Sequence, residues 1–394
     1  MRDFYLSPAV FEADLERIFR RHWLYAGHAC MLPNPGDWMT WQVGTDPIIV
    51  VRGADDRIRA FHNTCRHRGS RICREEAGHA SRLVCPYHRW TYDLDGKLMT
   101  RTEREFGVKP EELGLHPIAL RETSGLLWIS LADAPPDFDG AAHDIASRLR
   151  HHGMDRAKVA KRLTYRVKAN WKLVFENNRE CYHCTPNHPE YVKGTYDVAR
   201  ADSRNEAEVR RATEEANARF AAMGLDTGDV WSSMTGAFWR AHRTPLVPGW
   251  FTQSLDGQKV APLMGVFRER NEWSRGTLRT TVFPNFWQHA SDDHAVATRI
   301  TPTAADECVI DVWWLVDKDA VEGRDYELAK LMPFWQCTSE QDWRICEDQQ
   351  IGVSSSAYVP GRYGKNLEAN VAHFVAWYLS EMLARRAPLK AVSA

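Results

Sequence analysis

Two short arms, Cys65-Arg66-His67 and, further along, Cys85-Pro86-Tyr87-His88, constrain this chain more than any other feature of it. Two soft thiolates and two imidazoles in one short module are metal-ligand chemistry. The module around them is β-rich. Trp38 to Val43, Ile48 to Val51 and Ile58 to Phe61 are short apolar or alternating runs, separated by the turn signals Gly44-Thr45-Asp46-Pro47 and Gly53-Ala54-Asp55-Asp56. Leu83 to Cys85, Trp90 to Leu94 with the turn Asp95-Gly96, and Gly125 to Leu131 complete a set of strands between about Pro33 and Asp133.

A zinc staple is the plainer reading of two cysteines and two histidines. In a zinc finger, however, both cysteines come first and both histidines last. Here each arm carries one of each, the order expected when two cysteines hold one iron of a [2Fe-2S] cluster and two histidines hold the other, the Rieske form. Neutral imidazoles in place of two thiolates raise the cluster potential to about −150 to +300 mV, so it accepts electrons from a reductase and passes them to something more oxidising. His62, Arg68 and Cys73 lack the matched spacing and read as packing residues, whereas Trp90 sits where it would shield the cluster.

A second dense segment runs Glu176-Asn177-Asn178-Arg179-Glu180-Cys181-Tyr182-His183-Cys184-Thr185-Pro186-Asn187-His188-Pro189. On a helix Glu180 and His183 would share a face, and Pro186 and Pro189 end any helix and let His188 fold back. Two histidines could then converge on one ion. Oxygen-activating mononuclear iron needs two histidines and a carboxylate on one face, with positions left open. Asp342, Glu347 and Asp348 are the carboxylate candidates, in a predicted helix from Tyr326 to Gln350. Cys181 and Cys184 form a competing CxxC pair that could bind zinc, do redox chemistry or be buried inert thiols.

Around these segments, Phe4 to Trp23 reads as an amphipathic helix with Ser7 and Pro8 at its start, and Asp133 to Gly140 as a linker. Lys161 to Lys168, Leu278 to Phe283, Ala295 to Thr301 and Cys308 to Leu315 read as strands. Trp171 to Tyr182, Ala207 to Met223 and Leu367 to Arg385 read as helices. The expected class is α+β, with an antiparallel sheet and helices to one side in the second half. Lys plus Arg number 51 against 52 Asp plus Glu, so no basic field exists to hold nucleic acid. The longest apolar runs fall far short of a membrane span. Glu12, Asp14 and Glu16 are incompatible with a secretory h-region, so a cytoplasmic location is expected. Nine cysteines, an odd number spread along the chain, argue for thiols rather than a disulfide framework.

Together the two constellations resemble the Rieske non-heme iron oxygenases in their alpha-subunit form, over essentially the whole chain. The family pattern Cys-x-His and Cys-x-x-His falls on Cys65, His67, Cys85 and His88. Its Glu-Asn-x-x-acid-x-Tyr-His-(x)4-His pattern falls on Glu176, Asn177, Glu180, Tyr182, His183 and His188, and its late carboxylate ligand, followed by a Gln, matches Asp342 with Gln349. The resemblance implies an N-terminal helical segment 1–33 packing on the catalytic domain, a Rieske domain 34–150 and a helix-grip catalytic domain 151–394 with an antiparallel sheet. It also implies one [2Fe-2S] cluster and one Fe(II) per subunit, and a head-to-tail homotrimer in which an acidic residue, here Glu180, bridges the iron ligand of one chain to His88 of the next.

Glu rather than Asp at that position is similar to members acting on quaternary ammonium compounds. Asn177 to Cys184, with the tail Tyr358-Val359-Pro360-Gly361-Arg362-Tyr363 and Phe374, Trp377 and Tyr378, is similar to glycine betaine and proline betaine demethylases. The implied activity is O2- and NAD(P)H-dependent hydroxylation of an N-methyl group with formaldehyde release, fed by a separate flavin and iron–sulfur reductase. Hydroxylation of an aromatic or other small molecule is the alternative. A non-catalytic iron–sulfur electron carrier is the reading from a different class, and it would need no His183, His188, Asp342 set. Among the rings of the catalytic half, Phe238, Trp239, Phe283, Phe286 and Trp287, the pair Phe286 and Trp287 is singled out for the substrate pocket.

Overall fold

The computed structural model describes residues 2–196, 206–232 and 238–384. They form two compact units, one of Phe19–Pro135 and one of Met1–Ile18 with Pro136–Arg385. Both junctions fall earlier than 34 and 151. Leu24–His28 pairs antiparallel with Leu126–Ser130 and so belongs with the first sheet, while the Asp139–Leu149 helix is held by the Trp239 Nε1 to Asp144 hydrogen bond of 2.8 Å to the second.

The first unit is built on strands β1 (Leu24–His28), β2 (Asp37–Val43), β3 (Asp46–Arg52), β4 (Ile58–His62), β5 (Ala77–His79), β6 (Leu83–Val84), β7 (Thr91–Tyr92), β8 (Pro117–Thr123) and β9 (Leu126–Ser130). Seven of them make one sheet in the order β1-β9-β8-β4-β3-β2-β5, and β6 and β7 form a separate hairpin. The β2–β3 turn is two residues long with Gly44 at φ 55°, a conformation glycine adopts without penalty. Ile49, Val51, Phe61, Leu83, Trp90 and Tyr92 pack into one core with Cys65 and Cys85 among them, so the two ligand arms spring from buried cysteines.

The second unit carries the antiparallel sheet β10 (Ala157–Val167), β11 (Val230–Trp231), β12 (Trp239–Pro245), β13 (Gly276–Val282), β14 (Phe286–Ala290), β15 (Ala295–Ala304) and β16 (Glu307–Asp317), in the order β10-β16-β15-β14-β13-β12-β11. Helices Trp171–Asn178, Pro333–Ser354 and Ala369–Leu383 pack with it, which makes the unit α+β as expected. Several helical segments depart from their sequence pattern. Phe4 to Trp23 divides at Pro8 into Asp3–Leu6 and Pro8–Asp14, with the Ser7 hydroxyl capping Val10 N at 3.4 Å, and then widens into a π turn at Leu15–Phe19. Tyr326 to Gln350 is divided at Pro333, whose ring removes a backbone donor, into Leu328–Leu331 and Pro333–Ser354, while Met332 between them keeps helical angles. The third helix, from Trp171, stops at Asn178. Arg385, the last residue of the C-terminal helical pattern, lies outside the described residues, and that helix ends at Leu383.

The start of the Trp171–Asn178 helix is pinned by a fully buried ion pair. Asp14 Oδ2 accepts from Lys172 Nζ and, at 2.9 Å, from Trp171 Nε1, while Oδ1 accepts from Tyr378 OH at 2.6 Å. The ammonium sits 4.9 Å from the Phe4 ring centroid and 5.2 Å from that of Tyr378. Three segments far apart in sequence thus meet on one carboxylate. Breaking a buried pair from one side leaves an uncompensated charge, so Lys172→Met should cost about 3–5 kcal/mol in urea unfolding. Adding Asp14→Asn should return part of that loss; a Lys172→Met chain as stable as the parent would remove the pair from its anchoring role.

Candidate metal centres

The two ligand arms are conformational copies of each other. In each, the cysteine carbonyl accepts from the N–H four residues on (Gly69 to Cys65, 2.9 Å; Arg89 to Cys85, 3.1 Å), and the cysteine N–H donates to the carbonyl five residues on (Ser70, 2.9 Å; Trp90, 2.8 Å). The fourth residue after each cysteine has positive φ, 75° at Gly69 and 62° at Arg89. The second arm is the loop of the β6–β7 hairpin, and the first leaves the end of β4. The thiols lie inside, 2% and 1% exposed, and the histidines outside with Nδ1 of His67 3.1 Å from Nδ1 of His88. Both rings thus present Nδ1 to one point, as two ligands of a single metal would. Trp90 stacks on His67 at 4.7 Å and 10° between planes, covering the imidazole from one side. Tyr92, fully buried, places its hydroxyl 3.3 Å from Cys65 Sγ and accepts from Arg66 N at 2.9 Å, so its own proton is free for the sulfur. The donor set, sulfurs within and imidazoles at the rim, fits a [2Fe-2S] cluster.

In the second unit the chain leaves the helix after Asn178, and Glu180 is the reason it turns. One carboxylate oxygen, Oε2, accepts from the backbone N–H of Tyr182 and, at 3.3 Å, of His183, offering these amides an alternative to helical partners. The other, Oε1, accepts from His183 Nδ1 at 2.5 Å. Glu180 and His183 therefore meet through a capped turn and not along one helical face. A short helix, Cys184–Asn187, then swings His188 back, so the rings of His183 and His188 stand 5.1 Å apart and nearly perpendicular.

Asp342, from the Pro333–Ser354 helix, closes the set: its Oδ1 is 3.2 Å from His183 Nε2 and 2.9 Å from His188 Nε2. The other candidates lie elsewhere, Glu347 accepting from Lys168 N at 3.0 Å and Asp348 exposed. Gln341, not noticed in the sequence, accepts from His188 Nδ1 at 2.8 Å and donates to Glu190 at 3.1 Å. Each imidazole thus has an oxygen on Nδ1, which holds the proton there and leaves Nε2 as the atom turned toward Asp342 and available to a metal. Burial disfavours charge on His183, and the carboxylates of Asp342 and Glu180 outweigh it, raising its pKa to about 9. Burial likewise works against the Asp342 carboxylate, and the two histidines overcome that and hold it below the usual range. The pocket favours positive charge, and two histidines with one carboxylate are the facial set that suits iron(II) with open positions.

The Cys184 sulfur lies within 4.8 Å of both imidazoles, yet it is bonded to Cys181. That corrects the expectation of free thiols at the CxxC pair: the two sulfurs sit three residues apart in a turn that already brings them together, and neither offers a thiolate to a metal.

Asp342 also borders a cavity lined by Asn177, Trp287, His289, Thr298, Trp335 and Trp343. Of the two rings singled out in the sequence, only Trp287 reaches it. Phe286 alternates to the other side of β14 and is fully buried there. Phe238 and Phe283 stack on each other at 4.1 Å, and Phe283 packs on Phe374 and Trp377, which places them in the core.

Residues 22–106 match the model of the Rieske [2Fe-2S] domain, and residues 154–384 match that of the ring hydroxylating alpha subunit catalytic domain. The chain is 39% identical over 385 residues to the glycine betaine monooxygenase oxygenase subunit of Pseudomonas aeruginosa, covering 96% of this chain and 88% of that one. The chain belongs to the ring-hydroxylating alpha-subunit family of Rieske oxygenases. Another relative in the family, the carnitine monooxygenase oxygenase subunit of Acinetobacter baumannii, is 33% identical over 48% of this chain and 52% of its own length. Two solved structures share the Rieske oxygenase fold. A quaternary ammonium Rieske monooxygenase has a TM-score of 0.71 at 21% identity, with 96% of this chain and 94% of that chain covered. Naphthalene 1,2-dioxygenase from Rhodococcus sp. has a TM-score of 0.69 at 20% identity, with 98% and 94% covered.

Hydrogen bonds to a ligating sulfur stabilise the reduced, more negative cluster of a Rieske domain. Tyr92→Phe should therefore lower the reduction potential, read by redox titration of the cluster's EPR signal, without loss of the cluster; an unchanged potential would leave Tyr92 a packing residue.

Proposed function

We propose that this chain is the oxygenase component of a two-protein system that removes an N-methyl group from a quaternary ammonium acid such as glycine betaine. Cys65, His67, Cys85 and His88 would hold the [2Fe-2S] cluster, and His183, His188 and Asp342 one Fe(II). The observation that carries the reading is the convergence of two Nε2 atoms and Asp342 Oδ1 at the wall of a cavity faced by three tryptophans and a histidine. A quaternary ammonium has no N–H to donate, so its site must use aromatic faces, each contributing about 0.5–2 kcal/mol when desolvated. Trp287, Trp335 and Trp343 supply such faces beside the iron ligands, and Trp287 remains the proposed substrate residue.

The iron, when bound, supplies oxygen activation for hydroxylation of a C–H bond, with electrons delivered through the cluster from a separate NAD(P)H-dependent flavin and iron–sulfur reductase. The hydroxylated methyl leaves as formaldehyde, so one O2, one NAD(P)H, one proton and the betaine give the dimethylated amino acid, formaldehyde, water and NAD(P)+. The chain's own part is to hold the ligands, keep His183 and His188 in one tautomer and seat the methyl group beside Asp342. Both relatives, by their names, are oxygenase subunits for trimethylammonium acids. We place the enzyme in the cytoplasm; no described helix is long and apolar enough to cross a membrane.

Glu180 is proposed as the bridge between subunits of a homotrimer. A carboxylate offers about four lone-pair sites. Three are taken by Tyr182 N, His183 N and His183 Nδ1, which leaves one for an imidazole of a neighbouring copy. Glu180→Gln should leave the cluster reducible while slowing its oxidation in single turnover with substrate and O2. Oxidation at the parent rate would place the bridge elsewhere.

Incubation with a suitable reductase, NAD(P)H and glycine betaine should release formaldehyde in step with O2 uptake. His183→Ala, His188→Ala and Asp342→Ala should each lose iron, taking the count from about three per chain to about two, and abolish release while keeping the cluster spectrum. If betaines leave O2 uptake unchanged while a neutral aromatic compound is hydroxylated, the demethylase reading fails and the oxygenase reading alone stands.

A further inference from the structure

Three basic residues stand in a row across the sheet at the edge of the tryptophan-lined cavity. His242 on β12 is directly opposite Arg279 on β13, and Arg279 is directly opposite His289 on β14. Directly paired residues of an antiparallel sheet share a face, roughly 5 Å apart. His289 lines the cavity, as do Trp287, Val296 and Thr298 on the same face, so Arg279 lies one strand beyond the wall that already faces Asp342.

Among the described residues this row has no counter-ion. Arg279 spends one nitrogen, Nη2, on Tyr191 OH at 2.5 Å, and its guanidinium lies 5.9 Å from the Tyr191 ring centroid. Its Nε is buried without a hydrogen-bond partner, and so is His242 Nδ1. Among the described residues no carboxylate pairs with Arg279. Burial pushes His242 and His289 well below the usual imidazole range, and the charges acting on them, Arg279 for both and Arg240 and Arg179 for His242, add to that direction. Arg279 as a whole is half-buried, yet its Nε donor is sealed from water, and a buried donor left unspent is costly unless an anion arrives to take it. His289 stacks on Trp335 at 4.1 Å and 8° between planes, which sets the donors of the row against the aromatic face of the cavity.

We propose that Arg279, flanked by His242 and His289, is the anchor for the carboxylate of the substrate. The inference rests on the quaternary ammonium reading above and adds the group that selects an acid over a neutral trimethylammonium compound. The guanidinium presents a fork of donors to the planar carboxylate, and the neutral imidazoles on either side supply N–H donors without competing for its charge. The ammonium then lies over the tryptophans, between the anchor and Asp342.

The test is binding to the full chain followed by calorimetry, with glycine betaine and its neutral amide as the two probes. The parent should bind the acid far more tightly than the amide. Arg279→Gln should weaken acid binding on the order of 100-fold while changing amide binding less than about threefold. Tyr191→Phe removes the same hydrogen bond but keeps the guanidinium, so it should retain the preference for the acid. An Arg279→Gln chain with an intact cluster spectrum and an undiminished preference for the acid would overturn the anchor, as would equal losses for both probes. Because binding is read without turnover, a parent chain that binds betaine through Arg279 but releases no formaldehyde would overturn the demethylase reading and leave the anchor standing.

Discussion

Two hydrogen bonds to Nδ1, from His183 to Glu180 and from His188 to Gln341, decide which way the mononuclear site faces. With Nδ1 occupied, Nε2 is the nitrogen left to each ring for a metal, and both Nε2 atoms face Asp342. The rest of the second unit serves this constraint. The helix from Trp171 stops at Asn178 so that Glu180 can turn its oxygens onto Tyr182, His183 and the His183 ring. Gln341 and Asp342 are neighbours on one long helix, rotated by about 100° from each other, so one can take the far side of the His188 ring while the other meets its Nε2.

That geometry needs a rigid base, and the Asp14 carboxylate provides it. It gathers Trp171 and Lys172 from the first turn of the helix that leads to Glu180, and Tyr378 from the C-terminal helix. Six residues further on, Asn178 ends the helix, so a shift at Lys172 would be carried straight to the turn that holds the proposed iron ligands. The pair is therefore better understood as fixing position than as adding net stability, since two buried charges recover little beyond their own desolvation.

The ligand arms were legible in the sequence because metal spacing is local: each Cys–His pair sits within a single loop, and its order within the arm carries the chemistry. The hairpins of β2, β3 and β4 were legible for the same reason, since Gly44-Thr45 and Gly53 to Asp56 mark their turns. What escaped depends on contacts between distant residues. Gln341 meets His188 across 153 positions and Tyr92 meets Cys65 across 27, and neither partnership leaves a local pattern. β8 and β12 carry polar and charged residues on half-buried faces and so show no apolar alternation. Phe286 and Trp287 show the limit of periodicity: alternation says that they face opposite ways, but which way is inward is set by the helices packed on the sheet.

The Cys181–Cys184 pair bears on why the site is built for iron. Composition argued for thiols throughout, and the Cys181–Cys184 bridge departs from that because a turn of three residues brings the two sulfurs together locally, which a count of cysteines does not register. Its position matters more than its stability. A free Cys184 thiolate within reach of both imidazoles would make a soft donor set of the kind that favours zinc, in competition with the carboxylate. Bonded to Cys181, that sulfur has no charge to offer. Asp342 is left as the anionic donor of the proposed set, and two imidazoles with one carboxylate oxygen are the donor set that leaves positions on an iron open for oxygen.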